Sequence, residues 1–256
     1  MKKIHTTFSS ADISPFRFTE SVIPLHERRN IRKIVIDGNI SAGKSTQLEM
    51  LKNKGFWVVP EPIEKWPLKD FYKKPKKWGF FFHLTMCQTF RAIKTENVVI
   101  YERSLMSARH VFWQILKEDG SITKQEDELY EKFYDDYIWY PDLYIYINKT
   151  PLQAMEHLKV RGQAGDSDVT LRLLRRLDRH YNNLIRNIPC RVIIINGDQT
   201  VDEIHKQIYQ HLLNDQVFIP DCSKFKMQKP CCSRWQMFLS SCKFMCNMFG
   251  KYKEER

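Results

Sequence analysis

The run Lys33-Ile34-Val35-Ile36-Asp37 leads without interruption into Gly38-Asn39-Ile40-Ser41-Ala42-Gly43-Lys44-Ser45. A short run of mostly β-branched apolar residues predicts a buried strand. A helical stretch opens near Lys44. Strand, glycine loop and helix in this order restrict the fold more than any other feature of the chain. In that setting the pattern G-x-x-x-x-G-K-[ST] predicts a loop whose N–H groups converge on phosphate. Glycine lets the backbone curl, and the helix N-terminus adds partial positive charge. Lys44 is then placed to neutralise the β- and γ-phosphates of a nucleoside triphosphate, with Ser45 on Mg²⁺ and Thr46 next in the first helical turn. An ordinary glycine turn is the alternative, and the agreement of strand, loop and helix weighs against it.

The same alternation continues downstream. Short apolar runs at 56–59, 97–101, 143–147 and 191–195 predict four more strands. Helical stretches are expected at about 104–117, 125–139, 151–161, 168–187 and 201–214. In the last of these Val201, Ile204, Ile208 and Leu212 keep the spacing of an amphipathic helix. Five strands separated by helices predict an α/β fold with a parallel sheet flanked by helices. Ligands of such sheets bind at the carboxyl ends of the strands. Residues 1–31 read as a polar arm, 32–214 as the domain, and 215–256 as a basic extension rich in cysteine and aromatic residues.

Composition narrows the partners. The 256 residues carry a formal charge of +11, which suits polyanions such as nucleotides. The charge is not organised around stacking aromatics, so a specific nucleic-acid partner is not expected. No apolar run is long enough to span a bilayer. Only Cys87 and Cys190 precede residue 200, a usage that reads as reduced and intracellular, and the expected location is the cytoplasm.

Two further strand ends carry chemistry. The second run closes on Pro60-Glu61-Pro62-Ile63-Glu64-Lys65-Trp66. A carboxylate beside a phosphate loop is placed to take a proton from an attacking hydroxyl. The third closes on Glu102-Arg103-Ser104, where the acid can lie near Mg²⁺ and the guanidinium on anionic or polar substrate groups. A solvent-facing loop acid and a surface ion pair are the plainer readings of these two segments.

Together, Gly-Asn-Ile-Ser-Ala-Gly-Lys-Ser-Thr at 38–46, Glu-Pro-Ile-Glu-Lys-Trp at 61–66 and Glu-Arg-Ser-Leu-Met-Ser-Ala-Arg at 102–109 resemble the deoxynucleoside kinases over residues 32–214. The resemblance implies a P-loop kinase fold with a short lid. It implies ATP and Mg²⁺, and phosphorylation of the 5′-hydroxyl of a deoxynucleoside. Glu61 would be the general base, and Arg103 would lie near the 5′ oxygen with Glu102 near Mg²⁺. Trp66 and Phe112 would line the base pocket, although Phe112 also reads as core. Tyr72 would touch the sugar 3′-hydroxyl, unless it is a surface tyrosine beside the lysine run. Arg161 would open the lid, and Asp166 falls where the family places a glutamate for the 3′-hydroxyl. A homodimer through the helices after strands one and three is also implied.

The chain departs from the family at several points. The segment from Trp66 to Tyr72 is shorter, and the helix after Trp78 is about one turn short. Phe82-His83 stands nearest to a Phe-Gln pair whose amide reads the base edge. Gln88 matches a different, structural glutamine. The lid has Gln163 in place of a second arginine, with Gly162 and Gly165 around it. Ala108, where purine- and cytidine-preferring members carry aspartate, is similar to the thymidine and broad-specificity members and favours pyrimidines. Three rival readings stay open: a nucleoside monophosphate kinase, a nucleotide-binding scaffold without turnover, and a basic nucleic-acid binder. The tail, with Cys222, Cys231, Cys232, Cys242 and Cys246, reads as a packing extension, a segment touching a membrane surface, or less well a zinc site.

Overall fold

In the computed structural model, described residues are 31–162, 166–215 and 217. The arm over 1–30, Gln163, Gly165 and the five tail cysteines lie outside the described residues. Five strands form one parallel sheet: β1 (Lys33–Gly38), β2 (Trp57–Val59), β3 (Val99–Glu102), β4 (Leu143–Asn148) and β5 (Arg191–Asn196). Their spatial order is β2-β3-β1-β4-β5. β1 is therefore central, and the chain leaves it toward β3 on one side and β4 on the other. That reversal opens a crevice at the carboxyl end of β1, where such sheets hold their ligands.

The central strands β1, β3 and β4 are buried on both faces, and their apolar residues divide by period two. Ile34, Ile36, Ile100 and Ile145 face α1 (Lys44–Asn53) and α9 (Val201–Asn214), packing on Leu48, Leu51, Ile204 and Ile208. Val35, Val99, Tyr101, Tyr144 and Tyr146 face the other way, toward Leu177, Tyr181 and Leu184 of α8 (Leu171–Asn187). Several of the helices start at a capping threonine. Thr150, Thr170 and Thr200 each accept an N–H from the first turn of α7 (Pro151–Arg161), α8 and α9. Such caps are worth about 1 kcal/mol apiece.

A second core lies beside the sheet. It joins α2 (Leu68–Lys73), α3 (Pro75–Thr89) and α6 (Lys124–Tyr137) around Trp66, Phe82, Trp113 and Tyr130. Helix α3 was expected to follow Trp78. It begins three residues earlier, at Pro75, whose fixed φ and missing N–H suit a first helical position. The single helix expected over 104–117 is also corrected. It is split into α4 (Leu105–Ser107), a π-helical turn (Ala108–Phe112) and α5 (Trp113–Glu118). No glycine or proline marks that turn in the sequence.

Candidate active site

The phosphate loop is held from three sides. A Cβ on Gly38 would stand 2.6 Å from the Ile147 carbonyl oxygen of β4, so only glycine fits there. Gly43 takes φ +93°, a left-handed conformation natural to glycine, and Ser41 takes φ +62°. Buried Asn39 donates its amide to the Leu174 carbonyl of α8 at 3.0 Å and accepts the Ile40 N–H at 2.8 Å. At the opposite wall, Gln47 donates to the Val201 carbonyl of α9 at 3.0 Å. Loop and sheet are thus locked to helices on both faces.

Lys44 is buried. Its ammonium donates to the carbonyls of Gly38 (3.2 Å) and Asn39 (2.9 Å) within its own loop. Burial and the nearby Arg103 guanidinium lower its pKa to about 8, against the pull of Glu102, Asp37 and Glu61. The Ser45 hydroxyl donates to Glu102 at 2.7 Å. Glu102, the last residue of β3, faces Ser45 of α1, and the next residue, Arg103, faces Tyr181 of α8. Arg103 sits at φ +62°, a position unusual for a side chain of this size, and donates its N–H to the Ile36 carbonyl at 3.0 Å.

The Arg103 guanidinium is the junction of the site. It reaches Glu61 at 3.2 Å, Asp37 at 3.1 Å and the Gly38 carbonyl at 3.2 Å, contacts the Tyr181 hydroxyl, and lies over the Phe112 ring at 4.9 Å. Burial works against its charge, and Tyr181, Glu61 and Asp37 outweigh that opposition. Glu61 follows the short edge strand β2 and is half-buried. Burial pushes its carboxyl above the usual range, with Arg103 pulling it back. Tyr72 of α2 is exposed, and its phenol feels the charges of Glu61 and Asp168. The loop, Lys44, Ser45, Glu61, Glu102, Arg103 and Phe112 therefore converge in one place, with Tyr72 at the edge.

Trp66, His83 and Ala108 separate from this group. Trp66 is buried in the second core, edge-on to Phe82 and Phe90, with its indole N–H donated to the Thr89 hydroxyl at 2.9 Å. His83 is also buried there, with Phe82, Trp113 and Tyr130 around its ring and no partner for Nδ1 among the described residues. Its burial lowers the imidazole pKa to about 3. Ala108 joins the same core from the π-helical turn. Arg161 and Asp166 pair with each other, the guanidinium Nε reaching the carboxylate at 3.0 Å.

Sequence reasoning missed Asp37, Tyr144 and Tyr181. Asp37 is fully buried and accepts the Tyr144 hydroxyl at 2.7 Å and the Tyr181 hydroxyl at 2.8 Å. The available cue was an acid closing an otherwise apolar strand, directly before the glycine loop.

A glycine loop that follows the central strand of a parallel sheet, with its lysine, a hydroxyl–carboxylate pair and a carboxylate–guanidinium pair around it, defines a P-loop kinase. A family model described as deoxynucleoside kinase matches residues 34–217. The chain belongs to that family. It is similar to deoxycytidine kinase 2 of Gallus gallus, with 28% identity over 70% of this chain and 88% of the relative. It is likewise similar to deoxycytidine kinase of Homo sapiens, with 28% identity over 66% of this chain and 80% of the relative. A solved deoxyadenosine kinase from M. mycoides with bound dCTP shares the fold, at TM-score 0.62 and 22% identity over 71% of this chain and 99% of that one. The chain is thus a deoxynucleoside kinase, a phosphotransferase that uses a nucleoside triphosphate to phosphorylate the 5′-hydroxyl of a deoxynucleoside.

Proposed function

We propose that the donor is ATP, that the preferred acceptor is a pyrimidine deoxynucleoside, and that Glu61 takes the proton of its 5′-hydroxyl. One observation carries the residue roles: the Arg103 side chain touches both Glu61 and the Gly38 carbonyl of the phosphate loop. A single cation thus joins the proton acceptor to the phosphate site. Phosphoryl transfer needs in-line positioning and charge neutralisation more than covalent help. Glu61, its basicity raised by burial, accepts the hydroxyl proton as the oxygen attacks the γ-phosphorus. Lys44 and Arg103 balance the charge gathering on the phosphoryl oxygens. Arg161 is the lid cation that would add to them.

Ser45 and Glu102 offer a hydroxyl and a carboxylate oxygen 2.7 Å apart, a hard-oxygen donor pair that fits Mg²⁺. Such a cation is commonly held by one or two protein oxygens plus phosphates, and when bound it neutralises the β/γ-oxygens.

The pyrimidine preference rests on Ala108, small, apolar and buried, at the position where the resemblance puts an aspartate in purine- and cytidine-preferring members. His83, kept neutral by burial, offers one donor and one acceptor rather than the paired groups of an amide. Trp66 and Phe112 are the aromatic walls in this reading, with Tyr72 and Asp166 toward the 3′-hydroxyl.

For the homodimer, exposed apolar residues favour the helix after strand two in place of the one after strand one, and keep the region after strand three. Phe81 of α3 and Leu129 of α6 are exposed, whereas the exposed positions of α1 are polar. The helices after strands two and three therefore suit an interface better than α1. Phe81→Glu would leave a monomer by light scattering, and an unchanged mass would reject this face.

The decisive assay is monophosphate formation from each deoxynucleoside with ATP–Mg²⁺. Turnover is expected with thymidine or deoxycytidine, lost in Lys44→Ala. Turnover with purine deoxynucleosides alone would reject the base preference, and turnover with monophosphates alone would reject the acceptor.

A further inference from the structure

We infer that Asp37 is a positioning residue for phosphoryl transfer: it holds the Arg103 guanidinium in register between the phosphate loop and Glu61. The inference rests on the roles given above to Arg103 and Glu61. Asp37 itself stands back from the reacting atoms, and none of the roles already assigned uses it.

Its placement follows from strand alternation. In β1, Ile36 faces α1, and Asp37 faces α8 among Tyr144, Tyr146 and Tyr181. A bare carboxylate in such surroundings would be strongly disfavoured. Here every part of it is engaged. Oδ1 accepts the Gly38 N–H at 2.7 Å, the Tyr181 hydroxyl at 2.8 Å and Arg103 Nη1 at 3.1 Å. Oδ2 accepts the Tyr144 hydroxyl at 2.7 Å. Four donors from β1, β4, α8 and the end of β3 converge on one side chain.

Two of those donors matter for the reaction. The Gly38 N–H belongs to the first residue of the phosphate loop. Arg103 belongs to the acceptor half of the site and has an unfavourable backbone conformation, φ +62°, that its surroundings must hold in place. Asp37 is the only side chain hydrogen-bonded to both among the described residues. A strained residue bearing a long side chain keeps one geometry only when several bonds agree on it. Tyr144 and Tyr181 supply that agreement by fixing the carboxylate, which in turn fixes Nη1.

Loss of registration has a distinctive consequence at Glu61. The charged groups acting on Glu61 are Arg103, Glu102, Lys44 and Asp37. Arg103 is the strongest of them and favours the carboxylate, whereas Asp37 is the weakest and disfavours it. Simple removal of the Asp37 charge would therefore make Glu61 easier to ionise. Displacement of Arg103 would make it harder. The two cases move the acid limb of the pH–rate profile in opposite directions.

The test measures kcat, KM and pH profiles for Asp37→Asn, Tyr144→Phe and Tyr181→Phe with the deoxynucleoside best used by the wild type. Asp37→Asn is expected to lose about 10²-fold in kcat, the scale of a misplacement near 1 Å. KM for ATP should stay within about threefold, with the acid limb moved to higher pH. Tyr144 touches the Asp37 carboxylate and not Arg103, so Tyr144→Phe should lose about fivefold in kcat with the same direction of shift. An acid limb that stays in place or moves lower in folded Asp37→Asn overturns the inference, whatever kcat does. Should Asp37→Asn fail to fold, wild-type kcat and profile in both tyrosine variants overturn it instead. Glu61→Gln and Arg103→Lys serve as controls. Full turnover in those two rejects the roles of Glu61 and Arg103, whereas their loss beside intact tyrosine variants rejects only the part given to Asp37.

Discussion

Replacing His83 with leucine is expected to flatten the acid side of the stability curve, by an amount that the burial of the imidazole determines. His83 is 1% exposed, and its ring is enclosed by Phe82, Trp113 and Tyr130. With Nδ1 unpartnered among the described residues, nothing there favours the imidazolium, and burial lowers the pKa from 6.5 to about 3. The unfolded chain keeps a value of about 6.5. A depressed folded pKa means that the unfolded state takes up the proton first as pH falls. Stability from a neutral His83 is thus complete above the unfolded pKa. It is lost as pH drops toward the folded one. The slope approaches 1.4 kcal/mol per pH unit, roughly 2.6 kcal/mol between about pH 7.5 and about pH 4.5.

Leucine removes this proton and nothing else that titrates. It also removes the edge contacts to Trp113 at 5.0 Å and Tyr130 at 5.6 Å. That loss lowers the whole curve by a constant and leaves its slope alone. His110, pushed down to about 4 by burial and Arg109, contributes in the same direction in both proteins and cancels from the difference. Urea unfolding at several pH values supplies the free energies. The wild-type advantage over His83→Leu should shrink by roughly 2.6 kcal/mol across that range. Parallel curves would refute the reasoning, since they require an imidazole that protonates as readily folded as unfolded.

Three further outcomes are expected. Glu61→Gln should lower kcat by about 10²–10⁴-fold, and the wild-type rate should fall on acidification at a pH above the usual glutamate range, because burial raises the carboxyl that must be ionised to act. A rate that stays flat down to about pH 4.3 would contradict that placement. Ser45→Ala removes the hydroxyl 2.7 Å from Glu102 and should raise the Mg²⁺ concentration needed for half-maximal rate, read from a metal titration. Gly38→Ala forces a Cβ to 2.6 Å from the Ile147 carbonyl oxygen, so a loss of about 1–3 kcal/mol is expected, seen as a lower Tm together with weaker ATP binding.

Period and composition carry as far as they do here because burial on both faces leaves strands few alternatives. Lys33–Asp37 and Leu143–Ile147 could be read as strands because short apolar runs, the first β-branched and closed by a glycine loop, suit a sheet buried on both faces. The donor half was legible for a related reason: loop geometry depends on glycines at fixed spacing, and Gly38 and Gly43 occupy the positions that need them. The acceptor half depends instead on which way side chains turn in three dimensions. Glu102 and Arg103 are adjacent in sequence, yet one reaches Ser45 and the other Asp37 and Tyr181. No local pattern announces that Asp37, 66 residues from Arg103, is its partner. The π-helical turn is harder still. One extra residue per turn over Ala108–Phe112 brings Phe112 beneath the Arg103 guanidinium while Ala108 packs against the second core, and neither glycine nor proline flags it. Turns of this kind are frequent at functional sites because the shifted register re-aims side chains that a regular helix would point elsewhere. In this chain it lets a five-residue segment contribute to two environments: a charged one, where Phe112 lies under Arg103, and an apolar one, where Ala108 adjoins Trp66 and Phe82. Departures from regular geometry at Arg103 and at Ala108–Phe112 thus fall where the charged cluster meets the apolar core, where positioning matters more than local propensity.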